Sequence, residues 1–141
     1  MTLNPKSRAV LRGAALYDIA ASGLLAIPPV VPVALNLVAA LDAALGFGTI
    51  FAPVDATTVF LISLAAITIL AWGAIRLIEP SAAALKVDIA YRLALVAAQV
   101  WAVALGATPI LLGISAVLIA ICLLELRALR GGALLLAPAA S

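Results

Sequence analysis

The chain has 141 residues, 67% of them hydrophobic and only 10% charged, with a mean hydropathy of +1.34. A soluble domain carries about 45–50% apolar and about 25% charged residues, so a water-soluble fold of this size could not cover its surface, and a bilayer is the natural solvent. The net charge is +2 and there is no histidine, which excludes His-ligated haem, most zinc and copper chemistry, and His-based acid–base catalysis.

The basic residues flank apolar runs, so their small excess reads as a topology signal and not as a nucleic-acid footprint. Lys6, Arg8 and Arg12 precede the first apolar run as they would in a signal peptide. Asp18 interrupts that run, however, and no clear small-x-small cleavage site follows it, so the segment reads as the first membrane helix. Spanning takes about 20 apolar residues. The expectation is a single all-α domain over 1–141, a four-transmembrane-helix bundle with helices near 13–36, 57–78, 82–105 and 109–127, followed by a 133–141 tail too short to span.

Pro28, Pro29 and Pro32 fall inside the first of these helices. Each removes a backbone donor, so helix 1 is expected to be kinked or briefly broken there and to continue from Val33 toward Asp42. Gly46 to Gly48 then end that piece. Asp55 or Thr57 is placed to cap the second helix, Ser81 the third and Thr108 the fourth, with Pro109 at the first helical position. Gly131-Gly132 is expected to end the fourth helix.

Orientation follows from charge. With these spans, all eight basic residues (Lys6, Arg8, Arg12, Arg76, Lys86, Arg92, Arg127 and Arg130) lie on one side, and the other carries only Asp42 and Asp55. The positive-inside rule makes both termini cytoplasmic. Such complete asymmetry argues against dual topology.

Helix 3 cannot hide its charges. From Arg92 to the turn at Gly106 is about 14 residues, or roughly 21 Å of helix, against a hydrocarbon core about 30 Å thick. Arg92 therefore lies below the cytoplasmic surface, with Asp88 one turn nearer the interface. A mid-membrane charge costs about 2.5–3.5 kcal/mol on insertion scales, and such residues usually face the bundle and pair.

At 3.6 residues per turn, Asp88, Arg92 and Gln99 share a stripe, as do Trp72, Arg76 and Glu79, and as do Asp18 and Ser22 with Tyr17 alongside. Lys86 points the other way and can snorkel. Glu125 is placed at the cytoplasmic end of helix 4. The candidate buried polar cluster is Asp18, Ser22, Arg76, Asp88, Arg92 and Gln99. It reads either as a proton, ion or ligand site or as a charge-paired seam that orders the helices. Trp72 and Trp101 read mainly as interfacial belt residues. The small residues Ala20 to Gly23, Ala65-Ala66, Ala97-Ala98, Ala102, Gly113 and Ser115 allow close helix approach.

The sequence contains no phosphate-binding glycine loop, paired-cysteine motif, metal-ligand cluster or Ser/His/Asp set. No catalytic, cofactor-binding or metal-binding residue is assigned, and no cofactor is expected. Cys122, the single cysteine, can form no intramolecular disulfide.

The order Tyr17-Asp18, Pro28-Pro29, Trp72 to Arg76, Pro80, then Asp88 through Arg92 resembles a family of small uncharacterised proteobacterial inner-membrane proteins. That resemblance implies an inner-membrane, multi-pass protein and brings no activity with it. A second similarity is to the small multidrug resistance transporters, which have four short helices and an acid in the first. Asp18 matches that acid in placement only: those proteins carry a glutamate, and some insert in both orientations.

The first expectation is a non-catalytic membrane protein that binds a partner or lipid, such as an accessory subunit. The alternative is a small transporter or proton-coupled carrier using acidic groups on helices 1 and 3, and an intramembrane enzyme is a third reading. The lipid bilayer is the expected partner, together with a homo-oligomer or larger membrane complex, and nucleic acid is not.

Overall fold

The computed structural model describes residues 3–134, with side chains to Arg130, and every regular element is helical. Four helices are long and apolar enough to cross a membrane. The chain is a small polytopic membrane protein.

Helix α1 runs Pro5–Ser22. It starts earlier than the expected residue 13 because Asn4 accepts the Ser7 N–H at 2.7 Å and Pro5 occupies the first turn, where no donor is needed. Lys6, Arg8 and Arg12 are exposed on this added length. A 3-10 turn, Gly23–Ala26, follows, and then α2, Val30–Ala44.

The segment expected as one bent helix over 13–36 is thus divided into three elements: the α-helix gives way to the 3-10 turn at Gly23, ahead of the prolines, and helical structure stops over Ile27 to Pro29. Pro29 caps α2 and Pro32 lies in its first turn, where N–H groups have no intrahelical acceptor. The carbonyls around the break are used: Val30 N–H donates to Ile27 and Val31 N–H to Pro28. At the far end, Gly46 and Gly48 take φ of +73° and +66°, the left-handed conformation that glycine adopts without strain. Asp42, buried, accepts from the Thr49 backbone at 2.9 Å and its hydroxyl at 2.7 Å, which folds the loop back on α2.

Helices α3 (Ala56–Ile78), α4 (Ala82–Ala104) and α5 (Ile110–Leu134) complete the bundle. Asp55 caps α3 through Thr58 N–H and Ser81 caps α4 through Ala84 N–H. Gly106, φ +100°, closes α4: its N–H bonds to Val103 and the Ala107 N–H to Ala102, the pattern by which a left-handed residue satisfies the last carbonyls. Thr108 accepts from Ile110 N–H at 3.3 Å at the start of α5. Helix α5 does not stop at Gly131-Gly132, as expected, but continues to Leu134. Glycine in a helix interior costs only about 1 kcal/mol against alanine, too little to end a long apolar helix. Residues 135–141 of the expected tail lie outside the described residues.

The helices pack as two close pairs, α1 with α3 and α4 with α5, and α1 also touches α5. Gly73 allows the first pairing: a Cβ there would meet Ile19 Cγ1 at 2.8 Å. Buried Ala15 and Ala66 keep the same pair slim. At the end of the bundle that carries the N-terminus, Leu11, Leu85, Ile89 and Cys122 form an apolar core. There Ser7 Oγ donates to the Ala128 carbonyl at 2.8 Å, tying α1 to α5. Between α3 and α4, joined by the turn at Glu79 to Ser81, the link is made by side chains and not by backbone approach.

Candidate functional site

The site is built by one or two residues from each of the four long helices. Trp72 and Arg76 stand one turn apart on α3, Asp88 and Arg92 one turn apart on α4, Asp18 on α1 and Glu125 on α5. Arg76, Asp88 and Glu125 are 0% exposed, Arg92 1% and Asp18 9%.

Arg76 spans two helices. Its Nη2 donates to Asp18 Oδ2 and its Nη1 to Asp88 Oδ2, both at 2.6 Å. Arg92 grips Asp18 with both arms of its guanidinium, Nη1 to Oδ1 at 3.1 Å and Nη2 to Oδ2 at 2.7 Å. This is the paired-fork geometry that makes arginine–carboxylate contacts strong and directional. Arg92 Nη2 also reaches Asp88 Oδ2 at 3.1 Å. Trp72 Nε1–H donates to Asp88 Oδ1 at 2.9 Å, and the Arg76 guanidinium carbon lies 5.7 Å from the centroid of the Trp72 ring, within cation–π range. Arg92 Nε stands 3.4 Å from Glu125 Oε2 without hydrogen-bond geometry.

Taking an ion out of water costs several kcal/mol, repaid only when geometry is good and the remaining donors and lone pairs are satisfied. Asp18 and Asp88 meet that condition, each accepting three bonds. Glu125 does not: neither oxygen has a donor among the described residues.

Of the six residues expected to form the cluster, four meet: Asp18, Arg76, Asp88 and Arg92. Gln99 lies apart and accepts from Ser115 Oγ at 2.6 Å across the α4–α5 contact. Ser22 is half-buried and makes no bond to the cluster among the described residues. Lys86 is exposed. Sequence reasoning misses two members. Trp72, expected as a belt residue, is a hydrogen-bond donor to the cluster; its position one turn before Arg76 is the signal for it. Glu125, expected as an end-of-helix charge, is fully buried, and the length of α5 explains why.

A cavity of about 430 Å³ adjoins the cluster. Asp18 and Arg92 lie in its wall with Ser22, Gln99 and the two tyrosines, Tyr17 and Tyr91. Leu25, Ile69, Leu95, Ile114 and Leu118 line the rest. Ile69 stands seven positions from Arg76 on α3, about 10 Å along the helix axis, and Leu25 lies in the 3-10 turn that follows Asp18's helix. The space therefore runs from a charged floor toward the apolar middle of the bundle.

Fold and site together define a small polytopic membrane protein with an ion-paired cluster under an intramembrane cavity. Comparison with protein-family models, with curated proteins and with solved structures finds no match.

Proposed function

We propose that the protein is a non-catalytic, lipid-binding membrane protein that takes an amphipathic molecule into the cavity between its helix pairs. The observation that carries this reading is the cavity itself: its wall presents the Asp18–Arg92 pair with Ser22, Gln99, Tyr17 and Tyr91, and the remainder is apolar. Because those two charges already neutralise each other, the site favours a neutral or zwitterionic polar head. The apolar walls suit an aliphatic tail, in keeping with pockets that use few polar groups for orientation and apolar surface for affinity.

The proposal includes orientation and location. Both termini are cytoplasmic, supported by the one-sided distribution of all eight basic residues. The membrane is the bacterial inner membrane, supported by the resemblance to small proteobacterial inner-membrane proteins. A role as an accessory subunit, or as one copy in an oligomer, fits the same surface.

Native mass spectrometry of the protein released from mild detergent tests the binding. An amphipathic adduct on the wild type that is lost in Leu95→Trp, which fills the cavity, is expected. Absence of any adduct, or an adduct indifferent to Leu95→Trp, sinks the reading.

A second reading, a proton-coupled carrier, is favoured by one observation: three buried carboxyls face two guanidiniums beneath a cavity. Proton-driven uptake into proteoliposomes, abolished by Asp18→Asn, is its expected signature.

A further inference from the structure

We propose that Glu125 is a proton-binding site, holding an exchangeable proton that it donates as a hydrogen bond to the Asp88 carboxylate. The inference deepens the carrier reading and also stands without it, since it rests on the cluster alone.

The donors in the cluster are unevenly shared. Asp18 accepts three bonds from the two arginines, and Asp88 accepts three from Arg76, Arg92 and Trp72. Glu125, equally buried, receives none on either oxygen among the described residues. Its nearest cationic atom, Arg92 Nε at 3.4 Å, is not aligned to bond it. The same Arg92 guanidinium bonds Asp88 Oδ2 at 3.1 Å, so the carboxyls of Glu125 and Asp88 flank one cation.

An ionised carboxylate with no donor, opposite another carboxylate, is the least favourable state a buried acid can take. Two buried carboxyls that flank one cation hold one proton between them, as in other buried acid pairs. The proton belongs on Glu125, because Asp88 already has its lone pairs engaged by three donors.

Charge leads to the same place. If every group ionises, three carboxylates oppose two guanidiniums and one negative charge is unmatched. The charged group beside Glu125 is Arg92 from α4; bonded to it are Asp88 from α4 and Asp18 from α1, with Arg76 of α3 bonded to both aspartates, and Cys122 lies one turn away on α5. None supplies the missing positive charge. A proton carried by Glu125 removes the unmatched charge without any further cation. On release, the proton leaves a Glu125 oxygen for bulk water, and the cluster passes from neutral to singly negative.

Infrared spectroscopy of the full-length protein reconstituted in lipid tests this directly. Expected is a protonated-carboxyl C=O band at neutral pH that shifts in D2O and is lost in Glu125→Gln. No such band in the wild type overturns the proposal, as does a band that persists in Glu125→Gln. A band that fails to shift in D2O overturns the claim that the proton exchanges. Should Glu125→Gln fail to fold, Glu125→Asp serves instead: a displaced band supports the assignment, and an unmoved band refutes it.

Discussion

Asp18 and Asp88 stand on different helices, 70 positions apart in the chain, yet both are held by the same two arginines, Arg76 touching each at 2.6 Å. The cluster is therefore a clasp between the α1/α3 pair and the α4/α5 pair. Its members are worth more together than singly, because removal of any one leaves its partners buried without a counter-charge.

Arg92→Leu removes three hydrogen bonds from the two aspartates at once. Breaking a buried pair from one side costs about 3–5 kcal/mol. Lys86→Leu, at an exposed position on the same helix, is expected to stay within about 0.5 kcal/mol. Melting temperatures of both variants in detergent decide the matter, and Lys86→Leu as the more damaging change would sink the account.

Trp72→Phe keeps an aromatic ring near Arg76 but deletes the N–H that reaches Asp88. Leaving a charged acceptor short of a donor costs about 1–3 kcal/mol. The variant should unfold at lower denaturant concentration, an effect absent from the lipid-exposed control Trp101→Phe.

Gly73→Leu forces a side chain against α1, where even a Cβ would come within 2.8 Å of Ile19 Cγ1. Overpacking of this kind costs about 1–3 kcal/mol. At Gly113 nothing lies within 4 Å, and Gly113→Ala should gain up to about 1 kcal/mol of helix propensity. Opposite signs in thermal stability are the expected result.

The Thr58 backbone N–H, donating at 2.7 Å, holds the Asp55 carboxyl below the usual carboxylate range, and the Thr58 hydroxyl adds to it. A depressed acid contributes stability above its unfolded value, about 3.9, and loses it as pH falls through the folded value. Burial works to raise Asp42, but hydrogen bonds from Thr108 and Thr49 outweigh it, so this carboxyl is lowered too. Acidification below about pH 4 should therefore loosen the segment between α2 and α3. Faster amide exchange at Thr58 and Thr49 reads it, and Asp55→Ala should show the Thr58 effect already at neutral pH.

Orientation is tested in intact cells on a Cys122→Ala background. Ile50→Cys, at an exposed position in the loop after α2, should react with an impermeant thiol reagent from outside. Arg130→Cys should react only after the membrane is opened; labelling of that position from outside reverses the proposed topology.

The solvent of this protein is legible without coordinates, because a chain with so few charges and such long apolar runs has no other place to fold. So are the local pairings: Asp88 with Arg92 and Trp72 with Arg76 recur at one-turn spacing, and helix geometry alone puts each pair on one face.

What the chain order could not reveal is anything that depends on how far each helix extends or on which faces meet. Counting from the basic residues Arg127 and Arg130 puts Glu125 at an interface; the continuation of α5 to Leu134, nine positions beyond Glu125, leaves it inside the packed end. The prolines foretell a disturbance near residue 28, yet the 3-10 turn begins at Gly23, because Pro28, Pro29 and Pro32 are best accommodated before and within the first turn of a new helix. That Gln99 pairs with Ser115 instead of joining the charges, and that Arg76 bridges two aspartates 70 positions apart, is set by side-chain reach across helix faces, which no one-dimensional period encodes.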